Sequence, residues 1–172
     1  MRRLLASVSL VVLLTAPVLA QTAPSPAKGG PSQQDRTFVN GAAAGGLAEV
    51  AVGKIAEEKA QKDVVKDFAR QMVGDHGNIN SQLTAIVRQE NVKAPTSPDK
   101  AHVAAADRLK KLSGAEFDRA YMKQQVQDHE KTIQLFQKEA NSGQDAKLKA
   151  FAADTLPTLQ HHLQMAQGVA AK

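Results

Sequence analysis

From residue 38 onward, apolar positions recur at alternating steps of three and four, the spacing that lines the face of an α-helix turned toward a bundle core. Four stripes can be traced. The first is Phe38, Ala42, Gly45, Glu49, Val52 and Ala56, and the second Phe68, Met72, His76, Ile79, Leu83 and Ile86. The third is Met122, Val126, His129, Ile133, Phe136 and Ala140, and the fourth Leu148, Ala152, Thr155, Leu159, His162, Ala166 and Val169. No segment sustains the period-2 alternation of a strand, so the pattern predicts an all-α domain. Long helices are expected over about 35–60, 63–90, 113–140 and 145–169, with a shorter one over about 99–112. Asp35 reads as the first cap, Gly45-Gly46 as a weak or closely packed spot, and Ser113-Gly114-Ala115-Glu116 as a capping box. The prolines in Asn91 to Pro98 stop the second helix, and Asn141-Ser142-Gly143 ends the third.

The lengths between these elements restrict the topology. The first and second long helices are joined by a few residues, as are the third and fourth, which forces two antiparallel hairpins. Roughly 22 residues separate the hairpins, enough to run back along a helix of about 28 residues and about 42 Å. This predicts a ferritin-like four-helix bundle with one long crossover that carries the short helix.

Ahead of the bundle, residues 1–20 have Arg2 and Arg3, an apolar run from Leu4 to Leu14, and Val18-Leu19-Ala20, the layout of a secretory signal peptide cleaved before Gln21. The run is about 11 residues, short of the roughly 20 that span a bilayer, and no Cys follows to be lipidated. Residues 21–34, rich in Pro, Gly, Ser and Gln, read as a flexible tether, and 35–170 as the bundle domain. The expectation is export to the periplasm, with outer-membrane association left open and no transmembrane segment after cleavage. Loss of Arg2 and Arg3 lowers the formal charge from +5 to +3, which weakens the case for a nucleic-acid partner.

With no Cys in the chain, a disulfide framework, a thiolate metal site and a cysteine nucleophile are excluded. Aromatics make up 3%, too few for stacking on single-stranded nucleic acid, and there is neither a Gly-x-Ser-x-Gly elbow nor a phosphate loop.

One metal-ligand residue type interrupts each stripe: Glu49, His76, His129 and His162. The chain has five histidines, and three of them fall on stripes. Buried polar groups left unsatisfied cost about 1 to 3 kcal/mol each, so the four must satisfy one another, water or a metal. Asp75 and Asp128 each precede a stripe histidine and are candidates either to ligate a metal or to orient an imidazole by accepting its other N–H. His161, beside His162, is a reserve ligand, and His102 on the short helix reads as a surface residue. An aromatic eight residues before His76 and His129 (Phe68, Tyr121) and an apolar residue seven after (Leu83, Phe136) make the second and third long helices weak repeats.

Depth along the bundle gives a test. From the middle of the first hairpin turn Glu49 lies about 12 residues back and His76 about 15 forward, a difference of about 4 Å. From the second turn His129 lies about 14 back and His162 about 19 forward, a mismatch of roughly 7 Å. Pro157, one turn before His161-His162, could relieve part of it by kinking the helix.

Several segments carry a resemblance: Phe38-Val39, Ala48-Glu49-Val50, Phe68 through His76 (FARQMVGDH), Phe117-Asp118-Arg119-Ala120-Tyr121, Asp128-His129-Glu130, Leu156-Pro157-Thr158-Leu159 and His162-Leu163. Together they resemble the exported bacterial family catalogued as domain of unknown function 4142, assigned to the ferritin-like group. The resemblance runs from about Arg36 to Gln167 and implies a ferritin-like bundle and export, with no established activity. The sequence departs from di-iron ferritins, whose Glu-x-x-His motifs need an acid three residues before the histidine; Val73, Val126 and Leu159 stand there instead. One seam carboxylate with three imidazoles is a nitrogen-rich set that suits Cu, Zn, Ni or mononuclear Fe better than a carboxylate-bridged pair of irons.

Two functional readings compete. One is a periplasmic bundle that binds a transition metal through Glu49, His76, His129 and His162. The other is a non-enzymatic envelope protein, structural, stress-related or interacting, whose core histidines are hydrogen-bonding groups. A second copy of the chain or another envelope protein stays open as a partner.

Overall fold

The computed structural model describes residues 30–171, all of whose regular structure is helical; the expected leader, and the expected tether up to residue 29, lie outside the described residues. Five helices follow one another: α1 (Gln33–Lys59), α2 (Asp63–Gln89), α3 (Lys100–Lys110), α4 (Gly114–Ser142) and α5 (Ala146–Ala170). α1 starts two residues before Asp35 because Ser32, not Asp35, is its N-cap. The Ser32 hydroxyl accepts from the Asp35 N–H at 3.2 Å, and the Asp35 carboxylate accepts from the Ser32 N–H at 2.6 Å, a capping box in which the expected cap Asp35 is instead the partner three residues in. The box expected at Ser113 and Glu116 does not form: Ser113 is the N-cap of α4 but makes no side-chain cap bond. Gly114 opens that helix at φ 58°, so the chain enters from the left-handed region and Ser113 is not aimed at the first turn. Asp99 and Asp145 cap α3 and α5 in the ordinary way.

α1 packs beside α2 and α4, and α5 beside α2 and α4, which puts α2 diagonally across from α4. Two sets of hydrogen bonds fix the directions. Asp118, early in α4, accepts from the backbone N–H groups of Gln61 and Lys62 in the α1–α2 turn, both at 2.9 Å. At the other end the Asp35 carboxylate accepts from the Gln144 N–H in the α4–α5 turn at 2.8 Å. α4 therefore starts where α1 ends and α2 begins, so the chain from the end of α2 must travel the length of the bundle to reach it. This is the expected crossover. Asn91, at φ 52°, turns the chain out of α2, and α3 rides on α1 and α4. The fold is the ferritin-like arrangement of two hairpins joined by a long crossover.

Of the Gly45-Gly46 pair, only Gly46 is a close-packing position, where any Cβ would run into the side-chain amide of Asn80 on α2. Around Gly45 a Cβ would meet nothing within 4 Å. Pro157 is exposed and α5 runs through it unbroken.

The apolar interior is divided in two. One cluster, near the α4–α5 turn, contains Phe38, Leu83, Ile133, Phe136, Phe151 and Leu159. The other, near the α1–α2 turn, contains Val52, Phe68, Met72, Phe117, Tyr121 and Ala166. The two repeat positions noted in the sequence fall one in each cluster: Phe68 and Tyr121 meet edge to face at 6.2 Å, and Leu83 and Phe136 share the first cluster.

Candidate metal centre

Between the two apolar clusters lies a polar layer made of the residues that interrupt the stripes. On α2, His76 separates Met72 from Leu83; on α4, His129 separates Met122 from Ile133; on α5, His162 separates Ala166 from Leu159. The three imidazoles are buried, at 3%, 1% and 0% exposure, which removes them from water as a competing partner. Their ring centroids are 5.4 to 5.5 Å apart, and one nitrogen from each lies within 4.8 Å of the others. Three buried histidines are thus close enough to hold a metal ion.

The hydrogen bonds decide where the protons sit. His129 Nδ1 is 2.9 Å from the backbone carbonyl of Gln125. A carbonyl only accepts, so Nδ1 carries the proton and Nε2 the lone pair. His162 Nε2 is 2.9 Å from the Asp75 carboxylate, which fixes the proton on Nε2 and leaves Nδ1 with the lone pair. That Nδ1 is buried without a hydrogen-bond partner among the described residues. His76 Nε2 faces His129 Nε2 at 3.4 Å. In the metal-free layer His76 can donate there, and a shift of its proton to Nδ1 turns both facing nitrogens into lone pairs. A tetrahedral ion about 2.0 to 2.1 Å from its nitrogens holds them roughly 3.3 Å apart, close to this separation.

Electrostatics keep the set neutral. Burial holds the His76 imidazole well below its ordinary range, and the other two imidazoles add to the effect. His129 is lowered by burial against the opposing pull of the Gln125 carbonyl and Asp128. His162 is lowered by burial against the Asp75 hydrogen bond. Neutral imidazole is the form that binds a metal.

The fourth stripe residue, Glu49, is buried on α1 at 7% exposure but lies outside the group of three histidines. Its carboxylate accepts from the Gln125 side-chain amide at 2.7 Å. Gln125 lies one turn before His129, whose Nδ1–H its backbone carbonyl receives, so this one residue joins Glu49 to the histidine layer. Burial pushes the Glu49 carboxyl up to about 7, with the Gln125 hydrogen bond pulling the other way.

The carboxylates flanking the stripe differ. Asp75 serves His162 on α5 rather than its neighbour His76, because adjacent residues sit about 100° apart on a helix. Asp128 is half-buried and pairs with Lys131 at 3.5 Å. His161 is exposed, and His102 sits on α3 beside Asp99.

The 7 Å mismatch expected between His129 and His162 is absent. α4 runs on to Ser142, which moves the middle of the turn outward and reduces the offset to about three residues, roughly 4.5 Å. Side chains also lean toward the N-terminus of their own helix. On antiparallel α4 and α5 that tilts His129 away from the turn and His162 toward it, closing the remainder.

Sequence reasoning missed Gln125, since the stripe was drawn through apolar Val126. It is Gln125 that is fully buried, at 0%, while Val126 is half-buried. The signal was present as a polar residue four before a stripe histidine, the spacing that stacks two side chains on one helix face. Asp35, Asp118 and Glu139 are likewise buried acids that the apolar periodicity does not mark.

Fold and site together define a ferritin-like four-helix bundle with three adjoining buried histidines across its middle. The chain belongs to the family described as Domain of unknown function (DUF4142), which matches residues 20–169. No curated protein matches it significantly. In fold it is similar to the crystal structure of a DUF305 fragment from Deinococcus radiodurans, with a TM-score of 0.73 and 12% identity over 83% of this chain and 99% of that one. It is also similar to the crystal structure of a conserved hypothetical protein, rv2844, from Mycobacterium tuberculosis, with a TM-score of 0.61 and 13% identity over 80% and 91% of the two chains. At these identities the likeness is one of fold alone.

Proposed function

We propose that this bundle binds a single transition metal ion in its polar layer, with His76, His129 and His162 as the protein ligands. The observation that carries the reading is His162: its Nε2–H is committed to Asp75 while its Nδ1 lone pair is buried with no hydrogen-bond partner among the described residues, on a ring whose centroid is 5.4 Å from each of two further imidazoles. A carboxylate that orients a ligating histidine through its other nitrogen is the usual support of such sites. Glu49, held by Gln125 at the edge of the layer, is the carboxylate that balances the charge of the ion and is available as a fourth ligand if Gln125 releases it. Asp75 supports His162, with Asp128 and His161 in reserve. Three neutral nitrogens favour Cu, Zn, Ni or mononuclear Fe over the hard ions that prefer all-oxygen sites. No reaction is assigned.

The same reading puts the protein in the periplasm or elsewhere in the envelope, supported by the leader-like pattern of residues 1–20. Among the described residues no helix is long and apolar enough to cross a membrane. The test is elemental analysis of mature protein purified without chelator, beside a His76→Ala/His129→Ala double variant. About one metal ion per chain, lost in the variant, is the expected result. Absence of metal from the wild type after reconstitution with Cu, Zn, Ni and Fe would leave the histidines as hydrogen-bonding core groups, the competing reading.

A further inference from the structure

A second polar cluster lies at the opposite end of one apolar core, where α1 begins and α4 ends. Asp35 and Glu139 are buried there, at 0% and 1% exposure. The Asp35 oxygens are well supplied with donors: one accepts from the Gln144 N–H at 2.8 Å and the Asp145 N–H at 3.3 Å, the other from the Ser32 N–H at 2.6 Å. Glu139 is the reverse case: both carboxyl oxygens are buried, and among the described residues neither receives a hydrogen bond of good geometry, the Gln34 amide exerting only a partial pull on the carboxylate. The groups acting on it are Asp35 and Gln34 from α1 and Asp145 from the α4–α5 turn, none of them a cation. The Gln34 amide is itself engaged by the Lys138 carbonyl at 3.4 Å and the Ser142 hydroxyl at 3.1 Å. Gly143 completes the pocket, since a Cβ there would lie 2.7 Å from the Glu139 carboxyl carbon.

A buried carboxylate without donors, beside a second carboxylate, is an arrangement that protonation relieves. As an acid, Glu139 gains the O–H that its surroundings lack, and the ionised Asp35 is there to accept it. We propose that Asp35 and Glu139 share one proton, and that this proton latches the first turn of α1 onto the α4–α5 turn, making the attachment of the bundle's leading end dependent on pH. The latch involves none of the residues of the histidine layer.

Electrostatics support the division of roles. Burial, and then the hydrogen bond with Asp35, raise Glu139 from 4.5 to about 7 against a smaller opposing pull from the Gln34 amide. Asp35 is lowered from 3.8 to about 2, where the Gln144 N–H, Ser32 and Glu139 outweigh the upward pull of burial. Once released, Glu139 titrates near 4.5, so its contribution is complete below that value. It then weakens about tenfold per pH unit up to 7 and levels off above, about 300-fold in all. Asp35 works the other way, holding above 3.8 and failing as the pH falls toward 2. The latch is therefore tightest near pH 4.

The experiment is a ¹³C NMR titration of the Glu139 carboxyl in the full chain, with amide exchange of residues 32–38 and 144–148 followed from pH 4.5 to 7.5 and corrected for intrinsic rates. Glu139 is expected to titrate near 7. Protection of the α1 first turn is expected to fall by up to about 300-fold across that range, relative to core amides of α2. Glu139→Gln keeps a donor for Asp35 and is expected to make the protection independent of pH. Titration of Glu139 near 4.5 would overturn the proposal, and it needs no variant to fold. So would identical exchange profiles for wild type and variant, or restored protection at pH 7.5 on adding Ca²⁺ alone, which would make the pair a cation site.

Discussion

Asp75 and Asp128 occupy equivalent places in the sequence, each directly before a buried histidine, yet only Asp75 hydrogen-bonds an imidazole. This gives a sharp test of the proposed centre. Replacing Asp75 by Ala removes the acceptor 2.9 Å from His162 Nε2 and frees His162 to place its proton on Nδ1, the nitrogen proposed to bind the ion. Loss of such an orienting carboxylate typically costs 10- to 100-fold in metal affinity, about 1.4 to 2.7 kcal/mol. The Asp75 side chain is 37% exposed, so solvent screens part of its effect, and the lower end, about tenfold, is expected. Asp128, whose carboxylate pairs with Lys131 at 3.5 Å, should change affinity less than about twofold when replaced by Ala. The assay is competitive metal titration of both variants beside wild type and His162→Ala, each checked for folding by circular dichroism. If Asp75→Ala stays within twofold of wild type while His162→Ala abolishes binding, the orienting role is wrong. Equal losses in the Asp75 and Asp128 variants would show that only general negative charge matters.

Other expectations bear on the frame around the site. Asp118→Ala should destabilise the fold by about 1 to 2 kcal/mol in urea unfolding, because it removes the carboxylate that accepts from the N–H groups of Gln61 and Lys62 in an exposed turn, where water replaces part of the loss; Asp118→Asn, which keeps one acceptor, should lose about half as much. Tyr121 is fully buried with a hydroxyl that has no hydrogen-bond partner among the described residues, so Tyr121→Phe should be neutral or stabilising by up to about 1 kcal/mol. A loss above 1 kcal/mol on thermal melting would contradict that. Burial lowers all three layer histidines, so the metal-free protein loses stability as the pH drops below 6.5, about 1.4 kcal/mol per pH unit for each that stays neutral when folded. Glu49 and Glu139, raised to about 7, gain stability as the pH falls from 7 to 4.5 and oppose it. The Glu49→Gln/Glu139→Gln variant should therefore lose stability more steeply than wild type between pH 7 and 5 in urea titrations, and parallel curves would refute this balance.

The sequence by itself determined the helices, their hairpin pairing and the crossover, because each depends on local information. Apolar spacing defines a face, Pro95 and Pro98 end a helix, and connection lengths limit what can be neighbours. It also singled out His76, His129 and His162, since a titratable residue on an apolar face has to be satisfied somewhere. Only the tertiary structure decided which groups satisfy which. That Asp75 reaches α5, that Gln125 ties Glu49 to the layer, and that Glu139 faces Asp35 across more than a hundred residues of chain depend on helix rotation and depth. A one-residue turn of a helix shifts a side chain by about 100°, too fine a distinction for stripe patterns that tolerate Val126 in place of Gln125. The overestimated offset of His129 and His162 has the same origin: two residues of helix end and the lean of two side chains together amount to several ångströms, comparable to the size of the site itself.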